Sequence, residues 1–385
     1  MQRVYFDHNA TTPLAPTVLK AVVSSLGETY GNASSIHYFG QSAKQGLEAA
    51  RRQLAALIKA NPKEIVFTGG GTESDNIAVL GVARSAAARS PRVHVITTAI
   101  EHPAVLRACQ RLESEGADVT YLPADSSGAV DPDGVRAALA PHTALVSVMH
   151  ANNETGVLQP IAEIARVTRE AGVPLHVDGV QALGKVPVDV NAIGADLYSM
   201  SAHKLYAPKG VGALYIRKGV RFLPLAYGGH HERDRRPGTE NIPGIVGFGA
   251  AAGLAAESTA DTARIQQLRD RLERTVLERI QGTGVNGAGA PRVGNTTNIY
   301  FEGLDGEALV IALDLRGFAV STGSACSSGA VTPSHVLTAM GFSAERARAS
   351  IRFSLGATNT EEQVNALIGA LEESVAHLRR ISAYA

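Results

Sequence analysis

Between residues 64 and 216 the chain alternates short β-rich runs with helical periods, and this alternation limits the fold more than any other feature. Glu64–Thr68, His94–Thr98, Val119–Leu122, Ala144–Met149, Leu175–Asp178, Asp196–Met200 and Gly212–Ile216 read as strands. Helical patterns begin at about Thr72, cover Pro103–Glu115 and resume at Pro160. Strands joined by crossover helices pair in parallel with helices on both faces. Ligands of such sheets bind beyond the carboxyl ends of the strands. From about Gly244 to Ile280 the pattern is long helix. A second α/β pattern then gives strands at Asn298–Phe301, Phe318–Ser321 and Ser350–Leu355, with a helix at Glu307–Leu315. Thr360 and Gln363 form a capping box for a closing helix. A chain of 385 residues exceeds one hydrophobic core, so a domain change is placed near residue 260.

Charge and cysteine content remove several functions. Lys plus Arg and Asp plus Glu both number 36, so the bulk basic footprint of a nucleic-acid or membrane binder is absent. Two cysteines, Cys109 and Cys326, build no disulfide framework and favour a reducing compartment. The N-terminus has no basic and apolar leader, and no run approaches the ~20 apolar residues of a membrane span. A cytoplasmic protein is expected. No spacing of His, Cys and carboxylates suggests a zinc site.

Several segments carry chemistry-bearing residues. Thr68-Gly-Gly-Gly-Thr-Glu-Ser-Asp-Asn76 runs from a strand through three glycines into a helix, with Thr72 placed as its N-cap. Backbone N–H groups and the positive helix end suit a phosphate there, although a plain tight turn fits the glycines as well. Asp178 ends an apolar strand, where a metal, a ribose, a protonated ring nitrogen or a simple helix cap would all explain it. Lys204 ends another strand in Ser199-Met-Ser-Ala-His-Lys204, where desolvation favours the neutral amine that forms Schiff bases. Cys109 sits on a helical period with Val105, Leu106 and Leu112, as a core residue does, whereas small polar residues and glycines surround Cys326 and expose its thiol to reaction. In Ser350-Ile-Arg-Phe-Ser-Leu355, Arg352 lies opposite the apolar face, as an edge charge or a carboxylate clamp. His102 in Glu101-His-Pro103 suits ring stacking or proton transfer as well as a structural role.

Together these parts fit a pyridoxal-phosphate site, and the sequence resembles the cysteine desulfurases of the NifS/IscS type. The resemblance runs nearly end to end. It is carried by Asp7-His-Asn-Ala-Thr-Thr-Pro13, Tyr30-Gly-Asn-Ala-Ser-Ser-Ile-His37, Gly71-Thr-Glu-Ser-Asp-Asn76 and Glu101-His102. It continues through His150-Ala-Asn-Asn-Glu-Thr-Gly156, His176-Val-Asp178, Ser201-Ala-His-Lys204, Gly238-Thr239, Gly323-Ser-Ala-Cys-Ser-Ser328 and Ile351-Arg-Phe-Ser-Leu-Gly356.

The resemblance implies an α/β, aspartate-aminotransferase-like fold (fold type I). A large, mostly parallel-sheet domain would cover 15–260. A smaller α/β domain, with the catalytic Cys loop, would comprise 1–14 and 261–385. It implies a pyridoxal-phosphate enzyme that turns L-cysteine into L-alanine and passes the sulfur to Cys326 as a persulfide. Lys204 would be the Schiff-base lysine and the base for the Cα proton. Asp178 would bind the ring nitrogen, His102 would stack on the ring and Gln181 would hydrogen-bond its phenolic oxygen. Gly71, Thr72, Ser201 and His203 would hold the phosphate, with Thr239 reaching in from the second subunit of a homodimer. Asn153 would lie beside cofactor and substrate, and Asn32 and Arg352 would take the substrate carboxylate. The sulfur acceptor would be an iron–sulfur scaffold or a thiolation protein, with no direct nucleic-acid partner. Gly69-Gly70-Gly71, Gly179-Val180, Ala202 and Ala207 depart from the usual family residues without removing a functional group. A selenocysteine lyase, another pyridoxal-phosphate lyase or aminotransferase, and a non-catalytic sulfur relay are the alternatives. A nucleotide-binding protein is disfavoured, since the glycine loop lacks the Walker lysine and a Gly-x-Gly-x-x-Gly pattern.

Overall fold

The computed structural model describes residues 3–257, 259–322 and 332–382. Twelve strands occur among them: β1 (Val4–Tyr5), β2 (Ile65–Thr68), β3 (His94–Thr98), β4 (Asp118–Leu122), β5 (Thr143–Met149), β6 (Leu175–Asp178), β7 (Leu197–Ser201), β8 (Gly212–Ile216), β9 (Thr283–Val285), β10 (Thr296–Phe301), β11 (Phe318–Ala319) and β12 (Ser350–Ser354). Seven of them form one sheet in the order β2-β8-β7-β6-β5-β3-β4. The run β4-β3-β5-β6-β7 is parallel, as the alternating pattern requires. β8 is antiparallel to both of its neighbours. The segment between β7 and β8 is too short for a crossover helix, so the chain turns back on itself.

β9, β10 and β12 make a second, antiparallel sheet, and β1 pairs in parallel with β11. The strand expected at Phe318–Ser321 stops at Ala319, and Ser321 instead makes an isolated bridge to Arg352. Within the long helical stretch, Ile242–Glu257 and Thr259–Arg279 are helical, as expected. Thr360 and Gln363 exchange the two capping-box hydrogen bonds at 3.3 and 3.2 Å.

The apolar residues separate into distinct clusters. Val146, Val148, Leu175, Val177 and Phe248 belong to a cluster on one side of the large sheet, while Val66, Val95, Leu145 and Cys109 belong to another. Phe6, Leu272, Ile299, Phe301, Phe353 and Leu371 form a third around the antiparallel sheet. Val336, Leu337 and Met340 leave that third cluster and pack against the large-sheet one. Two helices beyond the sequence expectations, Pro16–Glu28 and Tyr38–Leu57, pack on Ile242–Glu257. Glycine allows this approach: a Cβ on Gly249 would meet the Ala50 backbone at 2.6 Å.

A buried ion pair ties the loop after β8 to the sheet. Arg51 donates to both carboxylate oxygens of Glu232 at 2.7 Å, and the Phe67 amide donates to the same carboxylate. Glu232, Arg233 and Asp234 all take positive φ to place it. From the same loop Arg236 reaches Glu73 at 2.8 Å, and Glu73 accepts from the Gly69 amide. The glycine turn is thus braced from outside.

Candidate active site

The carboxyl ends of β5, β6 and β7 open on a cavity of about 550 Å³, which Ser321 and Arg352 close from the small-sheet side. Gly71, Thr72, His102, Asn153, Asp178, Gln181, Ser201, His203, Lys204 and Arg352, all singled out in the sequence, line it. A larger cavity of about 750 Å³ lies at the amino ends of the strands. Its one acid, Asp196, is engaged with Arg217 at 2.9 Å, and none of the residues singled out in the sequence lines it.

The strand ends place the charged groups. Asp178 is the last residue of β6 and is buried, accepting from the Val180 amide at 3.0 Å. Burial raises its carboxyl pKa, opposed by His102 and Lys204. Asp75 lies beside it, fully buried with Oδ1 3.6 Å from His176 Nε2 and in no hydrogen bond, and burial pushes its pKa well up as well. Lys204 follows β7 in a short 3-10 turn, and its Nζ donates to the carbonyls of Asn9 and Ala10 at 2.5 and 2.7 Å. Burial and the Arg352 charge lower its pKa to about 8 against the pull of Asp7 and Asp178. A lowered pKa populates the neutral amine from about pH 8 upward. In cofactor-free protein, the rate of Lys204 acylation by acetic anhydride should therefore rise about tenfold per pH unit and level off near pH 8. A profile still rising at pH 10 would show an ordinary surface lysine.

The helix Gly71–Ala87 starts one residue earlier than expected, with Gly70 at the N-cap and no side-chain cap. Thr72 is not the cap. It stands in the first turn, where backbone N–H groups have no intrahelical partner. His102 caps the helix Pro103–Ser114, its Nδ1 accepting from the Ala104 amide at 3.1 Å, and its ring faces the cavity. Burial lowers its pKa and that of His203, the latter to about 4, so both rings stay neutral near pH 7. Arg352 donates to the Asn153 carbonyl at 3.0 Å and to Asp7 at 2.7 Å, while its buried Nε has no partner. Asn32 and Thr239 are exposed and do not line the cavity of their own chain. Cys326 lies outside the described residues. Cys109 is buried, and burial pushes its thiol up to about 12, as a core cysteine requires.

The family profile described as Aminotransferase class-V matches residues 4–367. The chain belongs to the class-V aminotransferase family. Among similar class-V proteins is "Cysteine desulfurase IscS" of Dictyoglomus turgidum, 46% identical over 384 residues, covering 100% of this chain and 97% of that protein. A solved "NIFS-LIKE PROTEIN" superposes with a TM-score of 0.91 at 37% identity, covering 98% of this chain and 100% of that one. A structure titled "SspA in complex with cysteine" gives 0.82 at 36% identity, covering 92% and 99%. The aspartate-aminotransferase-like fold, with its large, mostly parallel sheet, agrees with these neighbours.

Class-V enzymes of the cysteine desulfurase type use pyridoxal phosphate, and the residues present fit that group. A Cβ on Gly71 would meet Val180 Cγ2 at 2.9 Å, so glycine keeps a cradle open at the helix N-terminus for the phosphate. Ser201 and His203 stand on the same side of the sheet, and Asp178 offers a buried carboxylate with no cation hydrogen-bonded to it. Among the described residues no group of three or more His, Cys, Asp or Glu is arranged to hold a metal ion. No described helix is long and apolar enough to cross a membrane.

Sequence reasoning missed Asn9 and Lys185. Asn9 accepts on its main-chain carbonyl from Lys204 and Gln181, and on Oδ1 from Lys185 and Asn295. Its own amide donates to the Asn153 carbonyl and to Thr296 Oγ1. The signal for it was the Asp7–Pro13 motif, which marked family membership without assigning roles.

Proposed function

We propose that this chain is a pyridoxal-phosphate-dependent cysteine desulfurase that releases L-alanine and retains the sulfur on Cys326. The observation that carries this reading is one cavity in which a Lys204 amine of lowered pKa, the buried Asp178 carboxyl and Arg352 converge on a phosphate cradle. When bound, pyridoxal phosphate supplies an electron sink for bond breaking at the substrate's Cα and Cβ.

The chain's own residues do the rest. Gly71, Thr72, Ser201 and His203 would hold the phosphate, Asp178 would pair the protonated ring nitrogen, and His102 and Gln181 would contact the ring. Arg352 has an unpartnered Nε and pairs the substrate carboxylate, with Asn153 beside it. Lys204 Nζ takes the Cα proton and returns a proton to the product. The Cys326 thiolate attacks the cysteine sulfur, an S–S bond forms, the substrate C–S bond breaks and the enzyme keeps a persulfide. Cys326 follows Ser321, which lines the cavity, by five residues, a tether of at most about 18 Å. Beyond the loop, Ser334 bonds Glu154 at 2.5 Å and His335 bonds the Glu101 carbonyl at 2.9 Å, fixing its far flank to the large-sheet body.

The protein works as a homodimer in the cytoplasm, with domains at 15–260 and at 1–14 with 261–385. Placement supports the dimer: Asn32 and Thr239 sit apart from their own cavity, and the stretch around Asn32 exposes Tyr30, Ile36 and Tyr38. In a second copy these residues complete the partner's site. The persulfide is delivered to an iron–sulfur scaffold or a thiolation protein. Incubating the purified, cofactor-loaded protein with L-cysteine and a reducing thiol should yield alanine and sulfide in equal amounts. Pyruvate or an amino-group transfer product in place of alanine would overturn the reading.

A further inference from the structure

Lys185 takes no part in the mechanism above, yet it stands one residue deep behind the cavity wall. It lies four residues beyond Gln181, where the chain leaving β6 coils through a short turn closed by hydrogen bonds from Leu183 and Val186. Its Nζ donates to Gln181 Oε1 at 2.5 Å and to Asn9 Oδ1 at 2.8 Å. Gln181 Nε2 in turn donates to the Asn9 carbonyl at 3.0 Å. Gln181 and Asn9 line the cavity and Lys185 does not, so the lysine meets the cavity through the side-chain amides of those two residues.

The amide's two ends have opposite chemistry and nearly the same shape. With Oε1 on the lysine and one N–H on Asn9, the second N–H of Gln181 remains for a ligand in the cavity. Flipping the amide would set Oε1 against the Asn9 carbonyl, acceptor against acceptor, and its NH2 group against the Lys185 amine, donor against donor while that amine is protonated. Two N–H groups are present on Lys185 whether the amine is charged or neutral, so both contacts persist in either state. The titratable and charged groups facing it are His8, Lys204 and Arg352; burial, with the Lys204 and Arg352 charges, lowers its pKa well below that of an exposed lysine, while His8, itself lowered to about 4, is neutral.

We propose that Lys185 is a positioning residue that locks the Gln181 amide with its N–H toward the phenolic oxygen of the bound cofactor. The proposal rests on reading the cavity as the pyridoxal-phosphate site. A hydrogen bond donated to the phenolate stabilises it and lowers the pH at which the bound cofactor's visible band titrates; losing the donor raises that pH. Through Asn9, the same lysine sets the amide that reaches Asn153, whose carbonyl holds Arg352.

The test is a pH titration of the visible absorption of cofactor-loaded protein. Lys185→Met should raise the midpoint by about one pH unit, the size of one net hydrogen bond. Gln181→Ala should raise it similarly, and the double variant should go no further than Gln181→Ala alone. Lys185→Arg should return most of the shift, since a cavity of about 280 Å³ beside Lys185 leaves room for the longer side chain. Should Lys185→Met fail to fold, Lys185→Gln serves in its place, with an intermediate shift that vanishes in the Gln181→Ala background. An unchanged midpoint in the folded lysine variant, or shifts that add in the double variant, would overturn the proposal. A colourless wild-type protein that takes up no cofactor would instead overturn the reading of the cavity.

Discussion

Replacing Lys204 by alanine should cut alanine formation from cysteine by ~10²–10⁴-fold, the range for losing a positioned acid–base group. The amine is held at the cavity by the Asn9 and Ala10 carbonyls, and its pKa of about 8 suits proton transfer near neutral pH. Among the described residues no second amine lines the cavity, and Lys185, behind it, is bound to Asn9 and Gln181. Stability should change little, since a half-buried cation near Arg352 is removed without opening an apolar core. The checks are product analysis and thermal melting. A Lys204→Ala protein that melts normally and works within tenfold of wild type would assign the proton transfer elsewhere.

Cys326→Ala should separate binding from sulfur transfer. The described cavity stays intact, so affinity for cofactor and cysteine should remain within about twofold of wild type. Sulfur delivery to an acceptor thiol should fall on the order of 10³-fold or more, as when a covalent nucleophile is removed. Intact-mass measurement after exposure to cysteine should find sulfur added to the wild-type chain and none added to the variant. Cys109 cannot substitute: it is buried under the large sheet with its thiol pushed up to about 12. Persulfide on the alanine variant would disprove the assignment.

The sheet was legible because each strand and crossover helix writes its own period into the sequence, and residues at strand ends inherit their positions from that pattern. Asp178 and Lys204 were found in this way. What the sequence hid were features without periodicity or with two structural solutions. β8 runs antiparallel because of a short connection, which strand composition does not encode. Thr72 looks like a cap because Ser, Thr and Asp favour that position, but the cradle needs glycine there, and the hydroxyl is displaced into the first turn. Lys185 carries no motif that singles it out; its amine meets Asn9, 176 residues earlier in the chain, only in the folded structure. The roles proposed for Asn32 and Thr239 in a second copy would have no expression within one chain.

Asn9 shows how an important contact can escape side-chain mutagenesis. Lys204 and Gln181 both bond to its main-chain carbonyl, an oxygen that every residue type carries. Substituting Asn9 removes its links to Lys185, Asn295, Asn153 and Thr296 and leaves that acceptor in the chain. An alanine scan would therefore score the residue by its outer ring of partners and overlook the atom nearest the chemistry. Replacing the peptide bond after Asn9 by an ester, which weakens the carbonyl as an acceptor, would reach it.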